Sequence, residues 1–231
     1  MAGVTTVLLV RHGRTAANTA GVLAGWTPGV HLDDTGSRQA ATLAERLAPV
    51  PLAGIVSSPL ERCRETAQAI RAGRDGVRVR TDKRLGEVRY GQWEGQDLKH
   101  LSKDPLWRTV QAHPSAVRFP DGEAMRDMQT RAVDAIREWN ASHGADATYL
   151  VCSHGDVIKA IVADALGMHL DLFQRIQVDP CSLTVIRYTE LRPFVVRQND
   201  RGGDVADLVP PPPRKRRRKA SSDAVVGGGA G

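Results

Sequence analysis

Near the amino terminus, in residues 6–15 (TVLLVRHGRT), an uninterrupted apolar run over 7–10 ends abruptly in an arginine, a histidine and a glycine. A run of β-branched and aliphatic residues predicts a central strand that is covered on both faces. Arg11 and His12 follow at its carboxyl end, where open α/β sheets bind ligands, and Gly13 permits a sharp turn there. Taken alone, the tripeptide fits an ordinary surface loop equally well, so the interpretation depends on the remaining segments.

A second segment has the same form. Residues 54–58 (GIVSS) predict a short buried strand, and Pro59 then begins a helix that carries Arg62 in its first turn. A cation at that position opposes the helix dipole, and an anion bound at the helix N-terminus would remove the conflict. The alternative is a solvated arginine on the helix surface.

Two more segments complete the set. Residues 148–153 (TYLVCS) predict a buried strand that ends in His154 and Gly155, so this segment mirrors the first. Residues 85–95 (LGEVRYGQWEG) form an irregular stretch in which Glu87 could face a cleft. A lone glutamate is more often a surface residue, and two other candidates for an acid, Glu94 and Glu123, stay open.

The elements between these segments are predicted from periodicity. Residues 16–33 are expected to be a long loop that forms a pocket wall, with Asn18 turned towards a bound anion. A helix is expected from Asp34, capped by Asp34 or Thr35. The longest helix is expected over residues 121–143, an edge strand over 77–80, and a hairpin over 182–188 and 194–198.

The net charge of +6 and the isoelectric point near 9.6 resemble those of a nucleic-acid-binding protein until the charge is located. The basic run 214–219 (RKRRRK) gives residues 210–231 a charge of +5, which leaves +1 for residues 1–209. We therefore expect a folded catalytic domain over residues 1–199 and a disordered Pro-rich, basic tail over 200–231. The folded domain is not expected to bind nucleic acid, although the tail could make weak nonspecific contacts.

Three cysteines at wide spacing suggest neither a disulfide framework nor a zinc site. No stretch approaches the length of a membrane span, and the amino terminus lacks the features of a signal peptide. We therefore expect a cytoplasmic protein without metal or cofactor and without membrane association. A homodimer is compatible with the sequence.

The four segments are predicted to converge at one edge of the sheet. Two arginines, two imidazoles and a helix N-terminus would there form a pocket for a dianionic tetrahedral group, because a guanidinium binds phosphate in bidentate fashion. The predicted fold is a three-layer α/β sandwich with a mostly parallel central sheet and helices on both faces.

The motifs RHGRT (11–15), SSPLERCRETA (57–67), EVRYGQWEG (87–95) and CSHGDVIKA (152–160) together resemble the four signatures of the histidine phosphatase superfamily, in its phosphoglycerate-mutase-like branch. The resemblance covers roughly residues 4–199. It implies a metal-independent phosphomonoesterase that forms a phosphohistidine. It also implies a role for each matching residue: His12 is phosphorylated, Glu87 is the proton donor, and the phosphoryl group or substrate is contacted by Arg11, Asn18, Ala24, Gly25, Arg62, His154 and Gly155.

Within this scheme we expect a protonated His154 to help the arginines stabilise charge on the phosphoryl oxygens. The main alternative is a phosphomutase. Mutases of the family usually have Glu-Ser after Arg-His-Gly, where this chain has Arg14 and Thr15, and they carry a longer insertion before the second histidine. Only 67 positions separate Glu87 from His154, which favours a phosphatase. A catalytically silent phosphate-binding module is the remaining alternative, and the intact histidines and arginines argue against it.

Overall fold

The structure is a computed structural model that describes residues 4–202. Six strands form one sheet: β1 (Thr5–Arg11), β2 (Ile55–Ser57), β3 (Val79–Thr81), β4 (Thr148–Ser153), β5 (Leu183–Tyr188) and β6 (Pro193–Asp200). Their order is β3-β2-β4-β1-β5-β6; the first four are mutually parallel, and β5 and β6 are antiparallel to their neighbours. The predicted mostly parallel sheet, its edge strand and its final hairpin are confirmed. The edge strand begins two residues later than predicted, at Val79.

The helices cover both faces of the sheet. They are α1 (Ala16–Ala20), α2 (Asp34–Leu47), α3 (Glu61–Arg71), α4 (Leu98–Leu101), α5 (Pro105–Ala112), α6 (Met125–His143) and α7 (Gly155–Ala165). Alternation along β1 sends Leu8 and Val10 into an apolar cluster with α2 and α3, and sends Val7 and Leu9 into a second cluster with α6 and α7. This arrangement confirms the three-layer sandwich.

Helix α6 is the longest helix of residues 4–202, as predicted, but it begins at Met125 rather than at Asp121. Asp121 has a left-handed φ of 54°, and Arg118 forms an isolated β-bridge with Ala124, so the chain turns back on itself before the helix starts. The predicted apolar stripe is buried from Met125 to Ile136, where it packs in the core as expected.

Two local predictions were wrong. Asp33, rather than Asp34 or Thr35, caps α2, because its extended backbone directs its carboxylate to the amide of Gly36 at 2.7 Å. The predicted loop over residues 16–33 begins with the short helix α1, which Thr15 and Asn18 stabilise as a capping box. This helix has no buried residue, so apolar periodicity could not reveal it.

The turn after β1 is held by a close backbone contact with α2. A Cβ placed on Gly13 would lie 2.6 Å from the carbonyl oxygen of Gly36, and one on Gly36 would overlap the carbonyl of Arg14. The amide of Gly13 also donates to Thr66 Oγ1 of α3 at 3.0 Å. Because neither glycine has a side chain, α2 can approach the turn closely. This close contact fixes the position of His12, the residue before Gly13.

Strand β6 ends at Asp200, which forms an ion pair with Arg46 at 2.9 Å. The basic run 214–219 lies outside the described residues, as does most of the predicted tail, and the domain boundary at residue 199 stays a prediction. In residues 4–202, no helix combines the length and the apolar character needed to cross a bilayer.

Candidate active site

Three parallel strands end side by side and bring the predicted residues together. In register, Arg11 of β1 lies opposite Ser153 of β4, and Ser57 of β2 lies opposite Cys152 of β4. His12 and His154 are therefore the next residues on adjacent strands. Their ring centroids are 5.3 Å apart at an interplanar angle of 60°. The expectation that these two histidines meet is confirmed.

Arg62 joins the two imidazoles. It lies in the first turn of α3, where its guanidinium is buried, with 2% of its surface exposed. Its Nε donates to His12 Nε2 at 3.3 Å, and its Nη2 lies 3.3 Å from His154 Nδ1 and donates to the carbonyl of Gly25 at 2.9 Å. Its remaining nitrogen, Nη1, is buried without a hydrogen-bond partner among residues 4–202. A buried donor of this kind indicates a place for an anionic acceptor.

The hydrogen bonds of His12 define its tautomer. Since Arg62 Nε can only donate, His12 Nε2 accepts and carries the lone pair. The proton is then on Nδ1, which lies 2.7 Å from the carbonyl oxygen of Gly13 and donates to it. Burial lowers the pKa of His12 well below its usual value, and the charges of Arg62 and Arg11 lower it further. His12 is therefore a neutral imidazole with an available Nε2.

His154 is held in the same neutral state. Its Nδ1 accepts from Arg62, so Nε2 carries the proton and donates to Ser58 Oγ at 2.7 Å. Burial and then the charge of Arg62 lower the pKa of His154 well below its usual value. A buried imidazole beside two guanidinium groups binds a second proton poorly. A protonated His154 in contact with a phosphoryl group stays a prediction.

Arg11 and Glu87 complete the buried charges around the histidines. Arg11 is fully buried and donates from Nη1 to the carbonyl of Val178 at 2.8 Å. Burial lowers the pKa of Arg11, while the negative charges of Glu87 and Asp156 oppose that effect. Both arginines and both histidines thus occupy one desolvated site with an excess of positive charge.

Glu87 is buried, and one of its carboxylate oxygens, Oε2, lies 3.8 Å from His154 Nδ1. Its other oxygen accepts from the amide of Val88 at 3.0 Å. Burial raises the pKa of Glu87 to about 7; the charge of Asp156 adds to this rise and that of Arg62 opposes it. The carboxyl can therefore gain or lose a proton near neutral pH.

The two alternative glutamates are used elsewhere. Glu94 accepts from the amide of Tyr90 at 3.1 Å. Glu123 forms an ion pair with Arg131 at 2.5 Å and accepts from the amide of Arg89 at 2.8 Å. Of the three candidates, only Glu87 is placed beside His154 by these contacts.

The remaining predicted residues lie in one loop and in two helices. The carbonyl of Gly25 accepts from Arg62, and Ala24 precedes it in the chain. Gly155 is buried as the first residue of α7, directly after His154. Asn18 Oδ1 accepts from the amide and hydroxyl of Thr15, at 3.1 and 3.0 Å, so this oxygen caps α1. A contact between Asn18 and phosphate stays a prediction.

Sequence reasoning missed the residues that support Glu87. Arg131 of α6 donates to the carbonyls of Arg84, Gly86 and Glu87, at distances of 2.5, 2.8 and 3.0 Å. Trp26 Nε1 donates to the carbonyl of Glu87 at 2.6 Å. No local pattern distinguished Arg131 from the other arginines of α6, because the carbonyls that it contacts lie more than 40 positions away in sequence.

A nucleophilic nitrogen, two buried guanidinium groups and a protonatable carboxyl define a site for a phosphate-like anion. The model of the histidine phosphatase superfamily (branch 1) matches residues 7–201. The chain therefore belongs to the histidine phosphatase superfamily. Among residues 4–202 there is no group of three or more side chains that could hold a metal ion.

Relatives include both reaction types of the family. The chain is 31% identical over 189 residues to "Probable phosphoglycerate mutase GpmB" of Yersinia pestis, covering 80% of this chain and 85% of that protein. It is 31% identical to the solved structure of Bacillus stearothermophilus YhfR, with a TM-score of 0.79 over 85% of this chain and 97% of that one. Mycobacterial glucosyl-3-phosphoglycerate phosphatase, solved with VO3, is 26% identical, with a TM-score of 0.76 over 84% and 99% of the chains.

The unpartnered nitrogen of Arg62 leads to a binding prediction. Orthovanadate or inorganic phosphate should raise the melting temperature of the wild-type protein, because the anion binds the folded state. Arg62→Lys should weaken this binding roughly 10-fold or more, since a lysine cannot replace a guanidinium that contacts three partners. Isothermal titration calorimetry measures the affinity directly.

Arg64→Lys is the matched control, because Arg64 is exposed on the same helix. It should bind the anion as the wild type does. Because both substitutions keep the positive charge, equal losses in the two variants would show that the effect does not depend on the contacts of the Arg62 guanidinium.

Proposed function

We propose that this protein is a phosphomonoesterase that hydrolyses a small phosphorylated metabolite through a phosphohistidine intermediate, without a metal ion. The observation that carries the proposal is the unprotonated Nε2 of His12, fixed by Arg62 beside a second histidine and a carboxyl whose pKa is about 7. Sugar, nucleotide and glycerate phosphates all belong to the proposed substrate class.

In the first step, His12 Nε2 attacks phosphorus and the bond from phosphorus to the ester oxygen breaks. The two electrons of that bond leave with the oxygen, and Glu87 gives it a proton, so the product departs as a neutral alcohol. The guanidinium groups of Arg11 and Arg62 stabilise the negative charge on the phosphoryl oxygens. They supply the positive charge that a magnesium ion gives in other phosphoryl transfers.

In the second step, water attacks the phosphohistidine. Glu87, now ionised, takes a proton from that water, and the bond between phosphorus and Nε2 breaks to restore neutral His12. His154 contributes through its position beside the phosphoryl group. A bound dianion would raise the pKa of this imidazole, so His154 can share the charge only after the substrate has entered.

A phosphomutase is the second candidate, and the name of the Yersinia pestis relative is the observation that favours it. In that reaction the phosphohistidine returns its phosphoryl group to another hydroxyl of the substrate instead of to water. The chemistry of His12 and Glu87 is the same in both reactions. The difference depends on whether an organic hydroxyl or water occupies the position next to the intermediate.

The proposal predicts that the purified protein hydrolyses p-nitrophenyl phosphate in excess EDTA, because its charge stabilisation comes from arginines. His12→Ala should remove turnover and preserve the circular dichroism spectrum, whereas His100→Ala, at an exposed histidine, should retain full activity. An absolute requirement for a divalent metal would overturn the scheme. Parallel assays with 3-phosphoglycerate distinguish isomerisation from release of inorganic phosphate.

The raised pKa of Glu87 predicts a pH dependence. Its protonated form donates the proton, so kcat/KM for an alkyl phosphate should fall as the pH rises through about 7. Glu87→Gln should abolish this decrease and slow the alkyl ester roughly 10²–10⁴-fold, with a smaller effect on p-nitrophenyl phosphate, whose leaving group needs less protonation. Unchanged rates with alkyl esters would assign the proton donor to another residue.

A further inference from the structure

A second set of buried polar side chains lies next to the segments that carry Glu87 and His154. Asp156, Tyr90 and Lys159 are all buried, with 1%, 0% and 4% of their surface exposed. The phenol of Tyr90 donates to Asp156 Oδ2 at 3.0 Å. The ammonium of Lys159 lies 3.5 Å from Asp156 Oδ1 and donates to Gln174 Oε1 at 3.0 Å. Neither Tyr90 nor Asp156 has a part in the proposed reaction as described so far.

The position of these residues in the chain connects two parts of the site. Tyr90 follows Glu87 by three residues, and Asp156 follows His154 by two. Their hydrogen bond therefore joins the segment that carries the proton donor to the first turn of α7, which carries His154. The carboxyl of Glu87 and the imidazole of His154 are themselves 3.8 Å apart. The hydrogen bond between Tyr90 and Asp156 therefore joins the same two segments as the contact between Glu87 and His154.

We propose that Asp156 is a positioning residue for Glu87, which acts through its hydrogen bond with Tyr90 and through its own negative charge. The inference rests on the proposed function and makes it more specific. By keeping the proton donor in place, Asp156 enables the enzyme to expel alkoxide leaving groups. The substrates are therefore alkyl phosphomonoesters, whose leaving groups need that proton, rather than aryl phosphates.

The charges around Glu87 explain why the residue that holds Tyr90 is an aspartate. Arg62 of α3 and Arg11 of β1 both favour the ionised form of Glu87, and the neutral His154 lies beside it. Asp156 of α7 acts in the opposite direction and, together with burial, raises the pKa of Glu87. Without Asp156, burial alone would oppose the two arginines, and the pKa of Glu87 would be lower.

The hydrogen bond to Tyr90 would not by itself need this charge. An asparagine side chain would accept the hydrogen bond of Tyr90 equally well, and a buried carboxylate is costly to desolvate. Lys159 offsets part of that cost through its ion pair with Asp156. The carboxylate of Asp156 thus has two effects: its charge acts on Glu87, and its oxygen accepts the hydrogen bond of Tyr90. Substitutions can separate these two effects.

The test compares Asp156→Asn with Tyr90→Phe in the full-length protein. For an alkyl phosphate such as glycerol 2-phosphate, Asp156→Asn should shift the decrease of kcat/KM to lower pH by about one unit, since a like charge near Glu87 has been removed. At pH values above this decrease, the rate should fall roughly 10-fold. Tyr90→Phe should leave the midpoint unchanged and lower kcat for the alkyl ester more than for p-nitrophenyl phosphate.

Asp164→Asn is the matched control, because Asp164 is an exposed carboxylate on the same helix. It should preserve both the midpoint and the rates. Asp156→Asn leaves Lys159 buried without its ion-pair partner, so Tyr90→Phe provides the second test if that variant does not fold. A wild-type midpoint in folded Asp156→Asn, or equal slowing of alkyl and aryl esters by Tyr90→Phe, would overturn the inference.

Failure of this inference is distinct from failure of the proposed function. If the wild-type protein hydrolyses alkyl phosphates and Asp156→Asn keeps its pH profile, the phosphatase assignment stands and the role of Asp156 is rejected. If the variants lose the same fraction of activity with alkyl and aryl esters at every pH, their role is structural and the inference is also rejected.

Discussion

The site depends on the contact of one buried guanidinium with two imidazoles. Arg62 is 3.3 Å from a ring nitrogen of each histidine, and it can only donate to them. This one group therefore fixes both tautomers: His12 keeps its lone pair on Nε2, and His154 keeps its proton on Nε2, where Ser58 accepts it. Burial lowers the pKa of both rings, and the positive charge of Arg62 lowers it further, so both rings stay neutral.

The fold maintains this costly arrangement by attaching each charged group to a rigid element. Arg11 is the last residue of a central strand, Arg62 is in the first turn of a packed helix, and Glu87 is held by Arg131 and Trp26 through its own carbonyl. Because these groups are fixed before any ligand arrives, little reorganisation is needed when negative charge develops on a phosphoryl group. The desolvated setting also strengthens each interaction with that charge.

The sequence was informative wherever function and fold depend on local patterns. The strands before His12 and His154 were predicted from their apolar runs, and their convergence followed from the rule that parallel strands end at one edge of a sheet. The supporting contacts could not be predicted, because Arg131 and Glu87, or Tyr90 and Asp156, meet only through tertiary packing.

Two further features could not be predicted, for the same reason. The neutral state of His154 depends on burial and on the orientation of Arg62, neither of which the sequence shows. The short helix α1 is stabilised by a capping box between Thr15 and Asn18 and has no apolar face. Apolar periodicity therefore predicted a loop there.

The most direct test of the account is to identify the covalent intermediate. The wild-type enzyme would be mixed with an excess of phosphomonoester, quenched in alkali within milliseconds and digested for mass spectrometry. The account predicts one phosphoryl group, carried by Nε2 of His12. A phosphoryl group on His154 or on another residue would contradict it. Full turnover without any phosphorylated peptide in the quenched samples would also contradict it.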